Sequence, residues 1–364
     1  MSLQPHRCTD APLILILDKT NRKQLVTLLD KAFNVPTWSH YYDDFTVWDD
    51  YYSSHLEIRR FGIFDAAGVL ISTASVRLAS IKHTNNEAML PIALMGAVAT
   101  DDKWRGRGLA SILVSHALEW AKNKGAALSV LWGSEHELYR RLGFELCGDQ
   151  LRKPLAMFHG IDSIINSDFV KQGWVDGIWK CMLKREGGLN LEASDIRWIS
   201  AHKNVQWYWS GGSDEPSAYA AIGKGIDLHE TIHEWGGSSK ELMSILCKIK
   251  KNQPTAVILG CRKLFDKYDL AVGESVSEYL CLANIIDPTK IFLFYYENLK
   301  NLGFSAVWTD EGWTIFLMGK KFTQISQAMM VMLFFGPLPQ RLSSENDLTK
   351  FFPLPLWFWG LDGV

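Results

Sequence analysis

Residues 91–110 of this chain read PIALMGAVATDDKWRGRGLA, and the fold is organised around this stretch. Ile92 to Thr100 is a short apolar run rich in small and β-branched residues, which predicts a buried strand. A turn follows through Arg105-Gly106-Arg107-Gly108, and the residues after it carry apolar side chains at helical spacing up to Gly125. The sequence therefore predicts a strand, a glycine-containing turn and a helix that ends at that glycine.

A strand that feeds such a turn and then a helix is suited to binding phosphate. The first N–H groups of a helix have no intrahelical partner and lie at the positive end of the helix dipole. A Cβ at Gly106 or Gly108 would hold a pyrophosphate away from those groups, and Arg105 and Arg107 add positive charge. The turn matches neither GxxxxGK[ST] nor GxGxxG, so neither the nucleoside-triphosphate loop nor the dinucleotide fingerprint is indicated.

The spacing instead resembles the acyl-coenzyme A signature of the GNAT family of N-acetyltransferases. Its pattern, Arg/Gln-x-x-Gly-x-Gly/Ala, is met by Arg105, Gly108 and Ala110. A second family-like block, ALSVLWGSEHELYRRLGFE at residues 127–145, predicts a strand and then a helix carrying Tyr139. In the family, the matching tyrosine protonates the departing coenzyme A thiolate. The alternative is that RGRG is a basic surface turn and Tyr139 a packing aromatic.

The resemblance implies acetyl-coenzyme A as cosubstrate and assigns its contacts, with no metal expected. The pantetheine arm is expected to pair with strand residues Val98, Ala99 and Thr100, as an additional strand would. The pyrophosphate is expected to be held by Arg105, Gly106, Arg107, Gly108, Leu109 and Ala110.

The segment at residues 36–55, PTWSHYYDDFTVWDDYYSSH, mixes aromatic and acidic side chains. At this position the family builds the wall over the acceptor pocket, and aromatic faces with carboxylates suit a protonated amine. The substrate-binding candidates are Trp38, Tyr41, Asp43, Asp44 and Trp48. An acidic surface helix pair that packs its aromatics inward explains the same pattern equally well.

The composition of the 364 residues is that of an ordinary globular protein. Apolar residues make up 47% and charged residues 21%, and a formal charge of −2 gives no reason to expect nucleic acid as a partner. The six cysteines form no CxxC pair, so neither a zinc ribbon nor a disulfide scaffold is indicated. Because no apolar run reaches membrane-spanning length and LILIL at 13–17 is too short for a signal core, we expect a cytoplasmic protein without a membrane partner.

The chain is expected to divide into three parts. Residues 10–155 form the catalytic module, with its last strands from Phe144 to Leu155. Residues 160–272 repeat the order of strand, glycine turn, helix and strand, but they lack the Arg-x-x-Gly-x-Gly/Ala turn and a matching tyrosine, which predicts a degenerate copy. Residues 275–364 end in FFPLPLWFWGLDGV, an aromatic tail that we expect to be buried.

This layout resembles the enhanced-intracellular-survival acetyltransferases. The resemblance implies an α/β (α+β) fold, with two GNAT-like mixed β-sheet modules, flanking helices and a small C-terminal α+β sterol-carrier-like segment. It implies an N-acetyltransferase acting by direct attack on a primary amine, with a small-molecule amine preferred to a protein lysine. A homo-oligomer of undefined order is also implied. The alternative is a non-catalytic acyl-coenzyme A-binding regulatory or scaffold protein.

A second alternative, a zinc hydrolase, comes from His229-Glu230-Thr231-Ile232-His233, which matches HExxH. On a helix this spacing would place two imidazoles on one face for zinc. The third ligand of the extended motif fails, because position 239 is Ser. The flanking residues favour a strand, which would separate Glu230 and Ile232 from the two histidines, so this alternative is the weaker one.

Two groups are candidates for the base that takes the proton of the amine. Glu135 follows the strand end nearest the expected site, although a glutamate at a helix start is also what the helix dipole favours. The enhanced-intracellular-survival resemblance suggests the carboxylate of the C-terminal residue, here Val364, brought into the first module by the tail. Its unperturbed pKa of about 3.5 would have to be raised by partial burial.

Overall fold

Two mixed sheets and a small antiparallel one make up the described part of the chain. The structure is a computed structural model that describes residues 12–83, 88–158, 169–225, 227–270, 275–300, 303–309, 311–338 and 351–363. Its strands are β1 Leu15–Ile16, β2 Ile58–Phe64, β3 Leu70–Lys82, β4 Met89–Thr100, β5 Leu128–Leu131, β6 Glu145–Cys147, β7 Gln150–Pro154, β8 Lys171–Gln172, β9 Gln206–Gly211, β10 Pro216–Ile222, β11 Thr231–Gly237, β12 Val257–Gly260, β13 Val276–Glu278, β14 Cys281–Ile285, β15 Ser305–Thr309, β16 Gly312–Leu317 and β17 Lys320–Ile325.

The α-helices of the same residues lie between these strands. They are α1 Arg22–Ala32, α2 Tyr41–Asp44, α3 Asp50–Ser53, α4 Leu109–Asn123, α5 His136–Arg140, α6 Asp176–Met182, α7 Ile196–Ile199, α8 Ser239–Asn252, α9 Arg262–Lys267, α10 Pro288–Phe294, α11 Tyr296–Leu299 and α12 Gln327–Phe335. Within the described ranges, no helix has both the length and the apolar character needed to cross a membrane.

The first sheet carries the strand of residues 92–100 at its centre. Its strand order is β1-β2-β3-β4-β5-β14-β6. β4 and β5 run parallel and pair from Ile92 opposite Leu128 to Met95 opposite Leu131. β4 then continues along β3 as far as Thr100, so that β4 and β5 part beyond Met95. We call the gap between the two diverging strands the first fork.

α4 begins beside the first fork and covers one face of the sheet. Its buried positions, Leu113, Val114, Ala117 and Ala121, recur every three or four residues and contact the face formed by β3 and β4. Gly125 follows the helix with φ of +85°, a left-handed conformation that glycine adopts without strain. The strand, turn and helix predicted from the sequence are confirmed.

The two large sheets exchange a strand, which the sequence did not predict. β7 was expected to close the first module, but it pairs with β12 and β13 in the second sheet. Its place beside β5 and β6 is taken by β14. Assigning residues 150–154 to the first sheet was therefore wrong, because a short apolar strand does not specify its distant partner. Each sheet is completed from beyond the limits expected at residues 155 and 275, and the division into three domains stays a prediction.

The second sheet repeats the plan of the first. Its order is β13-β7-β12-β11-β10-β9-β8. β11 and β12 run parallel at Thr231 opposite Val257 and Ile232 opposite Ile258, and then part, which creates a second fork. α8 follows β11 directly, and its buried face includes the predicted Leu242, Ile245, Leu246 and Ile249. The predicted order of strand, glycine turn, helix and strand is present in this part of the chain.

The HExxH sequence does not form a helix. Residues 231–237 are strand β11, as the flanking residues predicted, and His229 precedes it. His233 is buried on the strand, and its Nε2 donates a hydrogen bond to the Gly223 carbonyl at 2.9 Å. Burial lowers the pKa of His233 to about 3, so its imidazole is neutral at physiological pH. The two imidazoles of this motif therefore do not lie on one face of a helix, as zinc binding by an HExxH motif requires.

The C-terminal part adds a small sheet and the aromatic tail. β15, β16 and β17 form an antiparallel sheet, and α12 packs against β14, β6 and β16. The tail, residues 351–363, is largely buried through Phe352, Leu354, Trp357, Phe358 and Trp359, as expected. The identification of this part as sterol-carrier-like stays a prediction.

Candidate active site

The first fork exposes backbone donors at the edge of β4. Ala97 has φ of +49°, and the pairing with β3 slips by one residue at this bulge. Farther along, the Asp101 N–H donates to the Ile71 carbonyl of β3 at 2.8 Å. Because donors alternate along a strand, the N–H groups of Thr100 and Val98 point away from β3 and into the fork. Two of the three predicted pantetheine contacts, Val98 and Thr100, therefore direct their backbone N–H groups into the fork. An extended ligand could accept hydrogen bonds from them there.

The third predicted contact is turned the other way. The Ala99 carbonyl accepts a hydrogen bond from Ser72 Oγ at 3.1 Å, so this residue is engaged with β3. Ala99 is also buried. Its contribution is to hold β4 in place, while its two neighbours face the fork.

The turn between β4 and α4 is held open by its glycines. Gly106 and Gly108 have φ of +76° and +77°, and an added Cβ at either position would point into open space. Gly108 is the N-cap of α4 and supplies no side-chain hydrogen bond to the helix start. Leu109 is buried and anchors the first turn, whereas Ala110 is half-buried. The first N–H groups of a 15-residue helix thus face solvent without a competing side chain.

Both arginines of the turn are held close to it. Arg105 forms an ion pair with Asp102 at 2.9 Å, and its Nε donates to the Thr100 carbonyl at 3.3 Å. The Arg107 guanidinium lies over the Trp104 ring, 4.4 Å from the ring centroid. Both guanidinium groups therefore lie against residues 100–104, in the turn that leads into α4.

Tyr139 lies on the β5 side of the fork. It belongs to α5 and is buried, and its ring packs so closely on Gly133 that a Cβ there would lie 2.9 Å from Cε2. Burial, and secondarily the charge of Glu135, raises the pKa of Tyr139 to about 12. Glu135 is exposed immediately before α5 and makes no capping hydrogen bond. The phenol is thus a protonated donor at neutral pH, with a carboxylate nearby.

Tyr41 joins the wall segment to the fork. It is buried, and its ring stacks on Phe45 with centroids 4.5 Å apart. Burial raises the pKa of Tyr41 well above its ordinary value, and the groups that act on it also include Asp227, the backbone of Ala97 and Tyr139. The structure therefore places Tyr41 against the backbone of the β4 bulge and within electrostatic range of Tyr139.

The other residues of the predicted wall are placed differently. Trp38 is 73% exposed, whereas Trp48 and Asp44 are buried. The carboxylates of the segment have partners within the protein: Asp43 with Lys203 at 2.7 Å, Asp44 with Asn204 at 2.6 Å, Asp49 with Arg22 at 2.7 Å and Asp50 with Arg60 at 2.8 Å. These ion pairs and hydrogen bonds fit the alternative interpretation, in which the segment is an acidic surface helix pair that packs its aromatic side chains inward.

Lys224 of the second module holds the end of the tail. The side chain is buried, and its Nζ donates to the carbonyls of Gly360 at 3.2 Å and Gly363 at 3.1 Å. The ammonium also lies 4.5 Å from the centroid of the Phe45 ring. The predicted base at Val364 lies outside the described residues, but the tail leading to it is fixed beside the wall segment.

A buried ion cluster also anchors the tail at Asp362, the residue before Gly363. Arg185 binds Glu234 at 2.8 and 2.9 Å through one nitrogen and Asp362 through another. Asp362 also accepts hydrogen bonds from the N–H groups of Leu189 at 3.1 Å and Trp359 at 3.0 Å. Because a buried aspartate is costly without such partners, this cluster fixes the register of the tail.

Sequence reasoning did not find Lys224 or Asp227. Lys224 lies between Gly223 and Gly225, both at positive φ, directly after β10. A lone lysine between two glycines is a weak local signal, and its partners lie 136 and 139 residues away. Only the folded chain brings this lysine to the tail.

Comparison with known proteins gives a match for residues 16–147. The profile of the Acetyltransferase (GNAT) domain matches residues 16–147, which contain the first fork, the glycine turn and Tyr139. An uncharacterized N-acetyltransferase of Methanocaldococcus jannaschii is 39% identical over 59 residues. That stretch is 15% of this chain and spans 26% of the relative's length.

Solved structures with the same fold extend over most of the chain. A GCN5-related N-acetyltransferase from Anabaena variabilis aligns with a TM-score of 0.63 at 16% identity, covering 97% of this chain and all of that one. A GCN5-related N-acetyltransferase from Kribbella flavida aligns at 0.55 and 16% identity, covering 86% and 83%. Eis1 from Mycobacterium abscessus aligns at 0.52 and 15% identity, covering 78% and 76%. The protein thus shares its fold with GNAT-type proteins of similar length, and its residues 16–147 match the family model of the Acetyltransferase (GNAT) domain.

Proposed function

We propose that the protein is an N-acetyltransferase that moves an acetyl group from acetyl-coenzyme A to the nitrogen of a primary amine. The observation that carries the proposal is the first fork, where the inward N–H groups of Val98 and Thr100 lead to the glycine start of α4. An extended pantetheine arm can add to such a strand edge, and a pyrophosphate suits a helix N-terminus. The match of residues 16–147 to a GNAT domain supports the same function.

The reaction joins the amine nitrogen to the acetyl carbon and breaks the carbon–sulfur bond of the thioester. The neutral amine supplies the electron pair, and N–H groups at the fork stabilise the oxyanion of the tetrahedral intermediate. The sulfur leaves with the electrons of the broken bond and takes a proton from Tyr139, which its pKa of about 12 keeps protonated until then. A base accepts the proton of the amine, and Tyr139 is reprotonated from solvent.

The base is one of the two groups named from the sequence. Glu135 is exposed and close enough to Tyr139 to act on its pKa, but it lies at the start of α5 in solvent. The C-terminal carboxylate of Val364 is the proposal we favour. It is supported by Gly363, where a Cβ would lie 3.9 Å from both Trp132 and the Lys224 ammonium, since Trp132 directly follows β5.

The acceptor that we propose is a small-molecule amine. Tyr41 and Phe45 supply aromatic faces near the bulge of β4, and Asp227 supplies a part-exposed carboxylate that acts on Tyr41. The Lys224 ammonium already lies 4.5 Å from the centroid of the Phe45 ring and 3.7 Å from Asp227, so this combination of an aromatic face and a carboxylate holds one cation of the protein itself. Partners of other kinds, including a second copy of the chain, have no support beyond the family resemblance.

A thermal-shift titration with acetyl-coenzyme A tests the proposal. At about 100 times its dissociation constant, the cosubstrate should raise the free energy of unfolding by about 2.7 kcal/mol. Gly108→Val should abolish this shift, because the side chain would cover the first N–H groups of α4. Absence of any shift in the folded wild-type protein would contradict the proposal.

Gly68→Val is the matched control. Gly68 has the same φ of +77°, its Cβ would also meet open space, and it lies in the turn between β2 and β3, away from α4. Both variants carry the strain of a β-branched residue in the left-handed region, so both should lose similar stability. We expect Gly68→Val to keep the full shift, and equal shifts in the two variants would show that the glycine turn does not bind the cosubstrate.

A further inference from the structure

The second fork opens onto a cavity that the proposed reaction does not use. Its volume is about 280 Å³, and it lies where β11 and β12 part at the start of α8. Tyr219, Trp235 and Trp359 supply aromatic walls. The cavity therefore has the size and the apolar lining of a site for a small organic molecule.

Unpaired polar groups in its wall are hydrogen-bond donors. The residue Tyr219 is 1% exposed, and its hydroxyl finds no hydrogen-bond partner among the described residues. The Nε of Arg185, another lining residue, likewise has none in that part of the chain. A buried donor without a partner destabilises the folded protein, so a ligand that supplies acceptors would recover that free energy.

The start of α8 adds further donors and a positive field. Gly236, Gly237 and Ser238 line the cavity, and Ser238 caps the 14-residue helix without a side-chain hydrogen bond to it. The N–H groups of the first turn and the helix dipole favour a negative charge here. This second observation is independent of the unpaired tyrosine.

The charges at the mouth of the cavity are positive in sum. Three lysines, Lys180, Lys184 and Lys267, line it against two glutamates. Glu215 pairs with Lys184 at 3.5 Å, and Glu186 pairs with Lys267. The lysine excess and the helix start together favour an anion over a cation.

We propose that the second fork binds a small aryl anion, in which a flat apolar body lies against the aromatic walls and a carboxylate or phosphate meets the start of α8. The tyrosine hydroxyl donates to the anionic group. This site is separate from the one proposed for acetyl-coenzyme A, which lies on the first sheet. Two of its lining residues also hold the tail in place: Arg185 binds Asp362 of the tail, and Trp359 belongs to the tail. A ligand in the cavity would therefore also affect how the tail packs.

Isothermal titration of the full-length protein tests the site with four probes. Benzoate and phenyl phosphate should bind saturably at millimolar concentration, and the better of the two identifies the anionic group. Benzyl alcohol and benzylammonium keep the ring but lack the negative charge, and they should not bind. Failure of both anions to bind, or equal binding of benzyl alcohol, would overturn the proposal.

Four variants test whether the anion binds at the second fork. Tyr219→Phe keeps the ring and removes the unpaired hydroxyl, so it should leave the fold intact and weaken anion binding about tenfold or more. Lys180→Ala should also weaken it, whereas Lys23→Ala, at an exposed position of α1, should not. Gly108→Val should bind the anion normally although acetyl-coenzyme A binding is lost. Unchanged affinity in Tyr219→Phe, or loss of binding in Gly108→Val, would place the anion elsewhere.

Discussion

At the residue scale, the chemistry depends on a phenol that stays protonated. Tyr139 is buried beside Gly133, and its pKa of about 12 results first from burial and then from Glu135. The ordinary pKa of a thiol is about 8.5, below that of this phenol, so the proton transfer also requires a site that raises the proton affinity of the leaving sulfur. The burial that also raises the pKa of Tyr41 at the β4 bulge provides such a site.

Tyr139→Phe should lower turnover by a factor of about 100 or more and leave the affinity for acetyl-coenzyme A unchanged, because the ring still packs on Gly133. Steady-state release of free thiol measures turnover, and the thermal-shift titration measures the affinity. Tyr208→Phe, a buried tyrosine of the second sheet, is the control and should keep full turnover. Equal turnover in the wild type and Tyr139→Phe would remove this residue from the mechanism.

The same tyrosine sets an expectation for pH. Its protonated form is the donor, and this form is lost only as pH rises through the folded pKa of about 12. Turnover should therefore show no decline due to Tyr139 between neutral pH and about pH 11. A decline near pH 10 that disappears in Tyr139→Phe would show an unshifted phenol.

The position of a site residue could be predicted where a sequence motif specifies it. It could not be predicted where it depends on contacts between distant parts of the folded chain. Arg105, Gly108 and Tyr139 follow from spacing, and the structure places all three at the first fork or beside it. The acidic wall was ambiguous because the partners of Asp43 and Asp44, Lys203 and Asn204, are 160 residues away in the chain. No local pattern indicates that those carboxylates are already paired.

At the element scale, side chains of the second module hold the C-terminal tail in a defined position. Arg185 holds Asp362, and Lys224 holds the carbonyls of Gly360 and Gly363. Gly363 therefore lies beside Trp132, the residue that follows β5. These contacts are the reason that a chain end so rich in aromatic residues is buried, as the sequence predicted.

Deleting Gly363 and Val364 should lower turnover by a factor of about 100 or more, because the proposed base is removed. The thermal shift with acetyl-coenzyme A should remain, since Asp362 and its ion cluster still anchor the tail. A variant extended by a few residues should show the same defect. Full turnover in both variants would exclude the terminus and return the role to Glu135 or to a water chain.

The strands and helices of the forks could be predicted, whereas the exchange of β7 and β14 could not. Apolar periodicity identified β4, α4 and α8, because one buried face leaves a regular pattern. β7 and β14 are five-residue strands that each complete a sheet built from distant residues. Their choice of partner depends on tertiary packing, which periodicity does not encode.

At the scale of the whole molecule, the exchanged strands make the two modules depend on each other. The first sheet needs β14 between β5 and β6, and the second needs β7 between β12 and β13. A fragment of residues 1–155 would leave the inner edges of β5 and β6 unpaired and β7 without a sheet. Unpaired edges of this kind promote aggregation.

We therefore expect the 1–155 fragment to lack a cooperative thermal transition, although it contains the whole matched GNAT domain. The full chain should unfold in one transition, because neither sheet is complete without the other module. Scanning calorimetry and near-ultraviolet circular dichroism measure both. A fragment that melts cooperatively and is stabilised by acetyl-coenzyme A would contradict this view of the exchange.

Acetyl transfer itself is tested by the release of free coenzyme A thiol from acetyl-coenzyme A by the full-length protein, measured with a panel of aminoglycosides, polyamines and lysine peptides. We predict that at least one small amine accelerates thiol release and is recovered in its N-acetylated form. If acetyl-coenzyme A stabilises the protein but no amine of the panel releases thiol, the first fork is a binding site without catalysis, and the proposed function is wrong.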